Sequence, residues 1–342
     1  MQLYALLENN AKTSLPDMEI TGLTDDSRKV QPGMLFACIR GERFDGHTAA
    51  KDVLERGAAA VLADHDLGLG DRQILTEDTR ALYGKLCAAW FGHPERKMRF
   101  IGVTGTNGKT TITNLIKHIL TENGHKVGLI GTIQNEIGDE IIHTDNTTPF
   151  VYDLMALYAR MAEAGCDDVV MEVSSFGLVQ QRIGETHFAA AAFTNLTQDH
   201  LDYHGTMENY YQAKKLLFQR CDTAIIDTDD EYGKRLYGEV TCPRISYGSS
   251  SQADFYADAI KLRADGTSFW LCCGGKSYPV NLHLTGMFNV SNALAAACAS
   301  WALGIPGKAV EEGLNDFTGA GRRFEKKGEY HGAAVYDDYA HH

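Results

Sequence analysis

No run of apolar residues in this 342-residue sequence reaches the length of a membrane span. The first residues, MQLYALLENNAKTS, lack a basic segment followed by a long apolar one. Both absences point to the cytosol. The eight cysteines are scattered and none form a C-x-x-C pair, so they read as reduced, mostly buried thiols. Neither a disulfide framework nor a cysteine zinc site is expected. Positive charge is also short: 32 Lys and Arg stand against 45 Asp and Glu, a net charge of −13. That balance disfavours nonspecific nucleic-acid binding. A small polyanionic substrate would have to be met by local devices: glycine loops, a few cations and metal ions. Internal repeats and low-complexity tracts are missing as well. What remains is an ordinary soluble composition, 44% hydrophobic and 23% charged, in a chain long enough for two or three domains.

The first ninety-odd residues read as a small α/β unit. GMLFACIRG is a strand, residues 45–57 a helix closed by glycine, AAAVLAD another strand, and residues 76–91 a helix with apolar positions at helical spacing. Gly92, His93 and Pro94 end that helix. Strand and helix then alternate, which argues a mainly parallel sheet. Strands are expected at 126–130, 168–173, 189–196 and 223–227, and helices at 151–164, 207–220 and 230–237. Between 253 and 284 the pattern becomes that of antiparallel strands joined by Asp265-Gly266 and Gly274-Gly275 turns. Helices follow at 289–302 and near 307–315, and AAVYDDYAHH opens a further strand.

The chemistry centres on FIGVTGTNGKTT, residues 100–111. Phe100, Ile101 and Val103 make a buried strand, Gly105 and Gly108 a tight loop, and Lys109, Thr110 and Thr111 the start of an amphipathic helix. Backbone N–H groups and a helix N-terminus converge there on phosphate oxygens. Lys109 would reach the β- and γ-phosphates and Thr110 would hold Mg²⁺. Val103 stands where the strict phosphate-loop pattern has its first glycine. Glu172 ends an apolar strand, a position suited to a Mg²⁺ ligand; the plainer reading is a solvated strand terminus. His200 and His204, four apart, could mimic a zinc pair. Without H-E-x-x-H or a nearby cysteine, a Mg²⁺ or hydrogen-bonding role for His200 fits better. Lys214 has Tyr211 and Leu217 three residues to either side, so it faces partly inward while Lys215 points elsewhere.

Several motifs accompany the loop in order. They are TDDSRKVQPGMLFACIRGERFDG, then Asn146-Thr147-Thr148-Pro149, MEVSSFGLVQQRI, TNLTQDHLDYHGTMENYYQAKKLLF and TGMFNVSNALAA. Together they closely resemble the Mur ligase family, ATP-dependent ligases that build the peptidoglycan stem peptide, and within it the branch adding the third residue. The resemblance implies a small N-terminal α/β UDP-sugar-binding domain (1–95), a central P-loop ATPase-like ligase domain with a mainly parallel sheet (96–325), and the beginning (326–342) of a truncated Rossmann-like C-terminal domain. Lacking most of that domain, the chain is expected to be inactive alone.

The same resemblance assigns roles. Gly105, Thr106, Asn107, Gly108, Lys109, Thr110 and Thr111 would bind ATP, with Asn289 and Asn292 near the adenine and Arg323 and His341 near the phosphates. Thr110, Glu172 and His200 would hold Mg²⁺, and Lys214 would be carbamylated to serve a second Mg²⁺. Ser27 and the turn of Glu42, Arg43 and Phe44 would hold the UDP-MurNAc-dipeptide. So would Asn146, Thr147, Thr148, Ser174, Gln180 and Arg182. The implied reaction joins meso-diaminopimelate or L-lysine to that substrate through an acyl phosphate, in a monomer with no nucleic-acid or membrane partner. Two places depart from the third-residue branch: Phe176 replaces its usual His, and the tail GRRFEKKGEYHGAAVYDDYAHH looks more like the alanine-adding branch. A folylpolyglutamate-type ligase or a non-catalytic nucleotide-binding module are the alternative readings. DDSRKVQPG in the N-terminal unit argues against the first, and joint retention of Glu172, His200 and Lys214 against the second.

Overall fold

The computed structural model describes the whole chain except Arg43, residues 320–324, Gly332 and residues 339–342. It divides into two compact units. In the smaller, α1 (Leu3–Leu7) precedes β1 (Leu23–Thr24), β2 (Leu35–Ala37), α2 (Ala50–Glu55), β3 (Ala60–Ala63), β4 (Gln73–Leu75) and α3 (Thr79–Trp90). The four strands pair in parallel in chain order. β2 and β3 are buried along their whole length, which is why their sequences run continuously apolar. A core of Val30, Phe36, Val53, Leu54 and Val61 lies between strands and helix. Asp78 caps α3 by accepting from the Ala81 amide at 2.9 Å, and Gly92, with φ at +70°, turns the chain out of it.

The compact units are not the continuous segments expected. Residues 150–160 and 180–186 also belong to the smaller unit. Gly84 on α3 explains the arrangement: a Cβ there would stand 3.4 Å from the Gly184 Cα and 3.7 Å from Val151. The Phe91 ring meets Tyr152 edge-on at 5.1 Å, and Gln181 donates to Asp78 at 2.8 Å. The sequence pattern of an α/β alternation gives no sign of this exchange, because it reports which face is apolar and not which neighbour covers it.

The larger unit is built on an eleven-stranded sheet. Its elements are β5 (Arg99–Thr104), α4 (Lys109–Glu122), β6 (Val127–Ile130), β7 (Asn135–Ile137), β8 (Glu140–Ile142), α5 (Val151–Glu163, shared with the smaller unit), β9 (Asp168–Glu172), α6 (Ser175–Val179), β10 (Phe188–Phe193), α7 (Leu201–His204), α8 (Met207–Lys215), β11 (Cys221–Asp227), α9 (Glu231–Glu239), β12 (Arg244–Gly248), β13 (Phe255–Arg263), β14 (Gly266–Cys273), β15 (Lys276–Leu282), α10 (Met287–Ala302) and α11 (Gly307–Asp316). Strand order is β15-β14-β13-β12-β11-β10-β5-β9-β6-β7-β8. The centre is parallel, and antiparallel hairpins finish both edges. The β7–β8 hairpin has no strong sequence pattern and turns at Gly138. The helix expected over 207–220 stops at Lys215 and tightens into a 3₁₀ turn, Leu216–Gln219. Ile112, Leu115, Ile116 and Ile119 of α4 share the main core with Val290, Leu294 and Leu314 of α10 and α11. After α11 come β16 (Glu325–Tyr330) and β17 (Ala333–Asp337), an antiparallel pair. Among the described residues no helix is long and apolar enough to cross a membrane.

Candidate active site

The carboxyl ends of β5, β9 and β10 carry the loop, the carboxylate and the polar residues that surround them, the edge where parallel sheets bind ligands. Gly108, the N-cap of α4, sits in the left-handed region and makes no side-chain cap, and the helix N-terminus it starts faces the loop. A Cβ on Gly108 would lie 2.5 Å from Asn292 Oδ1, and one on Gly105 only 1.8 Å from Thr194 Oγ1. The loop is held from β10's far end: Thr106 N donates to Asn195 O (2.9 Å), Asn107 N to Asn195 Oδ1 (3.0 Å), and Thr194 Oγ1 to Asn107 O (2.6 Å). Lys109 Nζ folds back to Gly105 O (2.9 Å) and Thr106 O (2.8 Å), standing over the loop mouth. Thr111 is buried behind it.

Glu172 is 1% exposed yet accepts three hydrogen bonds. Thr110 Oγ1 and Thr132 N donate to Oε1, and Thr132 Oγ1 donates to Oε2, each at 2.9 Å. Thr147 Oγ1 meets Thr132 Oγ1 at 3.0 Å. These oxygens are a hard donor set that suits Mg²⁺, joining the loop's Thr110 to the carboxylate. His200 has φ at +53° and a side chain 44% exposed. Its ring packs edge-on to Phe176 (5.1 Å) and Tyr210 (6.1 Å). Burial, with Lys214 and Lys109 nearby, pulls its pKa below the ordinary histidine value against Asp199 and Asp202, keeping the imidazole neutral. His204 is engaged differently, with Nε2 2.9 Å from Ser175 Oγ and its ring stacked on Tyr210. The two histidines therefore do not converge as a zinc pair.

Lys214 faces fully inward. Its Nζ donates to Gly105 O at 2.8 Å and lies 4.5 Å from the Tyr210 ring centre. Burial first, then the Lys109 charge, holds its pKa well below the ordinary lysine value. Lys215, by contrast, reaches Glu239 at 2.7 Å. Burial of this kind favours the neutral, nucleophilic form of the amine, here 2.8 Å from the loop carbonyl.

Asn107, Gly108, Thr194 and Asn195 line one side of a cavity of about 510 Å³, with Phe288, Ser291 and Asn292 on the other. Asn292 Nδ2 donates to Asn289 Oδ1 (3.0 Å), and Asn289 Nδ2 to Thr285 O (2.9 Å), so both amides are fixed. Thr148 Oγ1 donates to Glu172 O and accepts from Ser174 N, both at 3.0 Å, while Ser174 Oγ accepts from Gly177 N. Asn146 closes a local turn with Thr144. Within the smaller unit, Ser27 opens a 3₁₀ turn capped by Asp26, and its carbonyl accepts from Arg56. Glu42 and Phe44 are exposed on a turn closed by Gly41 N to Phe44 O (2.9 Å). Arg182 holds Gln180 Oε1 at 3.0 and 2.8 Å and lies 4.0 Å over the Phe150 ring. Arg43, Arg323 and His341 lie outside the described residues. Thr132, Thr194, Asn195, Phe288 and Ser291 were not singled out from the sequence. Their only signal is that the first three directly follow or nearly follow apolar strands.

A phosphate loop on a central parallel strand, facing a buried carboxylate on the next, defines a nucleotide-binding α/β protein. The chain belongs to the Mur ligase family: the family's middle-domain model matches residues 103–300, and its catalytic-domain model matches residues 19–87. It is 42% identical to UDP-N-acetylmuramoyl-L-alanyl-D-glutamate–2,6-diaminopimelate ligase of Syntrophomonas wolfei, over all of this chain and 72% of that one. It is also 42% identical to the ligase of the same name from Clostridioides difficile, over 97% of this chain and 69% of that one. Among solved structures, a ligase of that name matches with a TM-score of 0.85 and 27% identity, over 96% of this chain and 69% of the other. Folylpolyglutamate synthetase from Lactobacillus casei shares the fold alone, with a TM-score of 0.61 and 17% identity over 76% of this chain and 71% of that one.

Proposed function

We propose that this chain carries the substrate- and nucleotide-binding parts of an ATP- and Mg²⁺-dependent ligase that joins 2,6-diaminopimelate to UDP-N-acetylmuramoyl-L-alanyl-D-glutamate, in the cytoplasm and as a monomer. The observation that carries the reading is the link Thr110–Glu172–Thr132 beside the phosphate loop and Lys109. The relatives' shared name supports diaminopimelate over lysine.

The loop N–H groups and Lys109 hold the β- and γ-phosphates while Thr110, Glu172 and His200 would hold Mg²⁺. The metal would neutralise charge on the transferring phosphoryl group. A carboxylate oxygen of the peptide attacks the γ-phosphorus, the bond to ADP breaks, and an acyl phosphate forms. The amine of the incoming amino acid then attacks the acyl carbon, loses a proton, and inorganic phosphate leaves. Lys214, neutral and buried, is poised to take up CO₂ as a carbamate, releasing a proton and turning an amine into an oxygen donor. Asn289 and Asn292 fix one wall of the nucleoside end. Ser27, Glu42, Arg43, Phe44, Asn146, Thr147, Thr148, Ser174, Gln180 and Arg182 would hold the UDP-sugar-peptide, and Arg323 and His341 would reach the phosphates.

The test is phosphate release by a full-length version of the protein, given ATP, Mg²⁺, the UDP-MurNAc-dipeptide and a panel of amines. Release with diaminopimelate and not with lysine is expected. Release with lysine alone would overturn the choice of amine, and failure of every amine to give release would overturn the ligase reading.

A further inference from the structure

We propose that His47, Asp64 and His65 form a binding site for one zinc-class divalent cation, in the smaller unit and independent of the ligase reaction. His47 lies in the 3₁₀ turn Gly46–Ala49, and Asp64 and His65 directly follow β3. One donor atom from each of the three falls within 4.8 Å of the others.

The His47 ring lies between two carboxylates. Its Nδ1 is 2.6 Å from Asp45 Oδ1, the same oxygen that accepts the His47 backbone N–H at 3.0 Å. The other oxygen of Asp45 accepts from Arg40 Nε at 3.1 Å. Asp45 can only accept, so Nδ1 donates to it, and Nε2 then faces Asp64 Oδ1, 3.1 Å away. The Asp64 backbone N–H also approaches Nε2, in a long hydrogen bond of 3.5 Å. The His47 side chain is only 5% exposed, so the ring is held facing that carboxylate. A buried ring nitrogen and a carboxylate oxygen 3.1 Å apart leave a place for one cation, a proton or a metal ion.

A metal fits that gap. Bonds of about 2.0–2.1 Å in a tetrahedral zinc site space the ligands by roughly 3.3 Å. His65 adds a second ring nitrogen: its Nδ1 touches the same Asp64 oxygen at 2.5 Å, and its ring lies 4.8 Å from that of His47. His65 is half exposed and free to turn toward an ion. Asp45 orients the His47 ring from behind, as outer carboxylates do for ligating imidazoles. Two imidazoles and a carboxylate favour zinc over Mg²⁺. The alternative occupant of the gap is a proton on Nε2.

The experiment is calorimetric titration of the metal-free full chain with ZnCl₂, beside the variants His65→Ala and Asp64→Asn. Both residues are solvent-accessible, and a circular dichroism melt checks that the variants fold. The wild type is expected to bind one zinc more tightly than either variant by at least about ten-fold, with Co²⁺ giving a visible tetrahedral absorption that the variants lose. Equal uptake and affinity in all three proteins would overturn the proposal. So would an NMR finding that His47 Nε2 is protonated at pH 7.5 and unmoved by zinc. Neither readout depends on ligase activity.

Discussion

Replacing Lys214 with methionine should stabilise the chain and abolish ligase activity in a full-length version. The side chain is 2% exposed and has one hydrogen bond, to Gly105 O, with the Tyr210 ring beside it. Desolvating an ammonium costs several kcal/mol even after relaxation. One charge-assisted hydrogen bond returns about 1.5–3 kcal/mol, the cation–π contact up to about 2 kcal/mol, and the Lys109 charge opposes both. The amine escapes by releasing its proton, which is why its pKa lies well below the ordinary value. The folded chain therefore binds fewer protons here than the unfolded one, and the penalty acts at every pH below the unfolded value of about 10.4. Methionine keeps the volume and removes the titration. Substitution of buried ionic groups by apolar ones gives about 1–4 kcal/mol, and losing the Gly105 bond takes back about 1 kcal/mol, leaving a gain of about 0–3 kcal/mol. Urea denaturation in CO₂-depleted buffer at pH 7, 8.5 and 10 measures it. The gain should be largest at pH 7 and shrink as the pH approaches about 10.4. A methionine variant less stable by a constant amount at every pH would refute the reasoning. Lys214→Ala should lose most phosphate release and recover part of it with added small carboxylates.

Gly105→Ala should weaken ATP binding about 10- to 100-fold, the equivalent of the 1–3 kcal/mol stored in a strained backbone. Its φ is +150° and its new Cβ would meet Thr194 Oγ1 at 1.8 Å; unchanged affinity by calorimetry would refute the loop's role. Thr132→Val removes a donor from a buried carboxylate, worth about 1.5–3 kcal/mol, and should raise the Mg²⁺ concentration needed for half-maximal phosphate release. The smaller unit should lose stability as pH rises through the His93 pKa. Burial lowers that pKa, but hydrogen bonds to Glu8 (2.9 Å) and Glu95 (2.9 Å) outweigh it and raise it overall. The stabilisation is full below the unfolded value of about 6.5 and lost above the raised one, and Glu8→Gln should flatten thermal melts between pH 6 and 8.5.

The parts of the fold that sequence made legible are those whose burial is uniform or whose contacts are local. FACIRG and AAAVLAD run apolar because β2 and β3 are covered on both faces. The phosphate loop is contiguous, so strand, glycines and helix start announce one another. Glu172 could be read from its place at a strand end. The departure at Phe176 also finds a local account: its ring packs against His200, Tyr203 and His204 at 5.1, 4.2 and 5.7 Å. Sequence periodicity could not reveal that residues 150–160 and 180–186 join the smaller unit. That depends on Gly84 admitting Gly184 and Val151, a contact across about a hundred residues.

Thr132 and Thr194, two of the missed site residues, share one physical cause, sheet register. β6 runs parallel to β9 with Ile130 opposite Met171, so the next residues, Gly131 and Glu172, come side by side just past the paired segment. A Cβ on Gly131 would stand 2.6 Å from Glu172 Oε1, so only glycine leaves room for the carboxylate to turn across and meet Thr132. The same geometry recurs one strand pair away. β10 pairs with β5 through Phe193 and Thr104, which sets Thr194 against Gly105, where a Cβ would again collide. In both cases a glycine at the end of one strand admits the polar side chain of its neighbour, and the residue missed from sequence is the one holding that crossing in place. Gly131 and Gly105 are far apart in sequence, yet they act alike, since each lets a parallel strand deliver a side chain sideways into the edge where phosphate and metal would be bound.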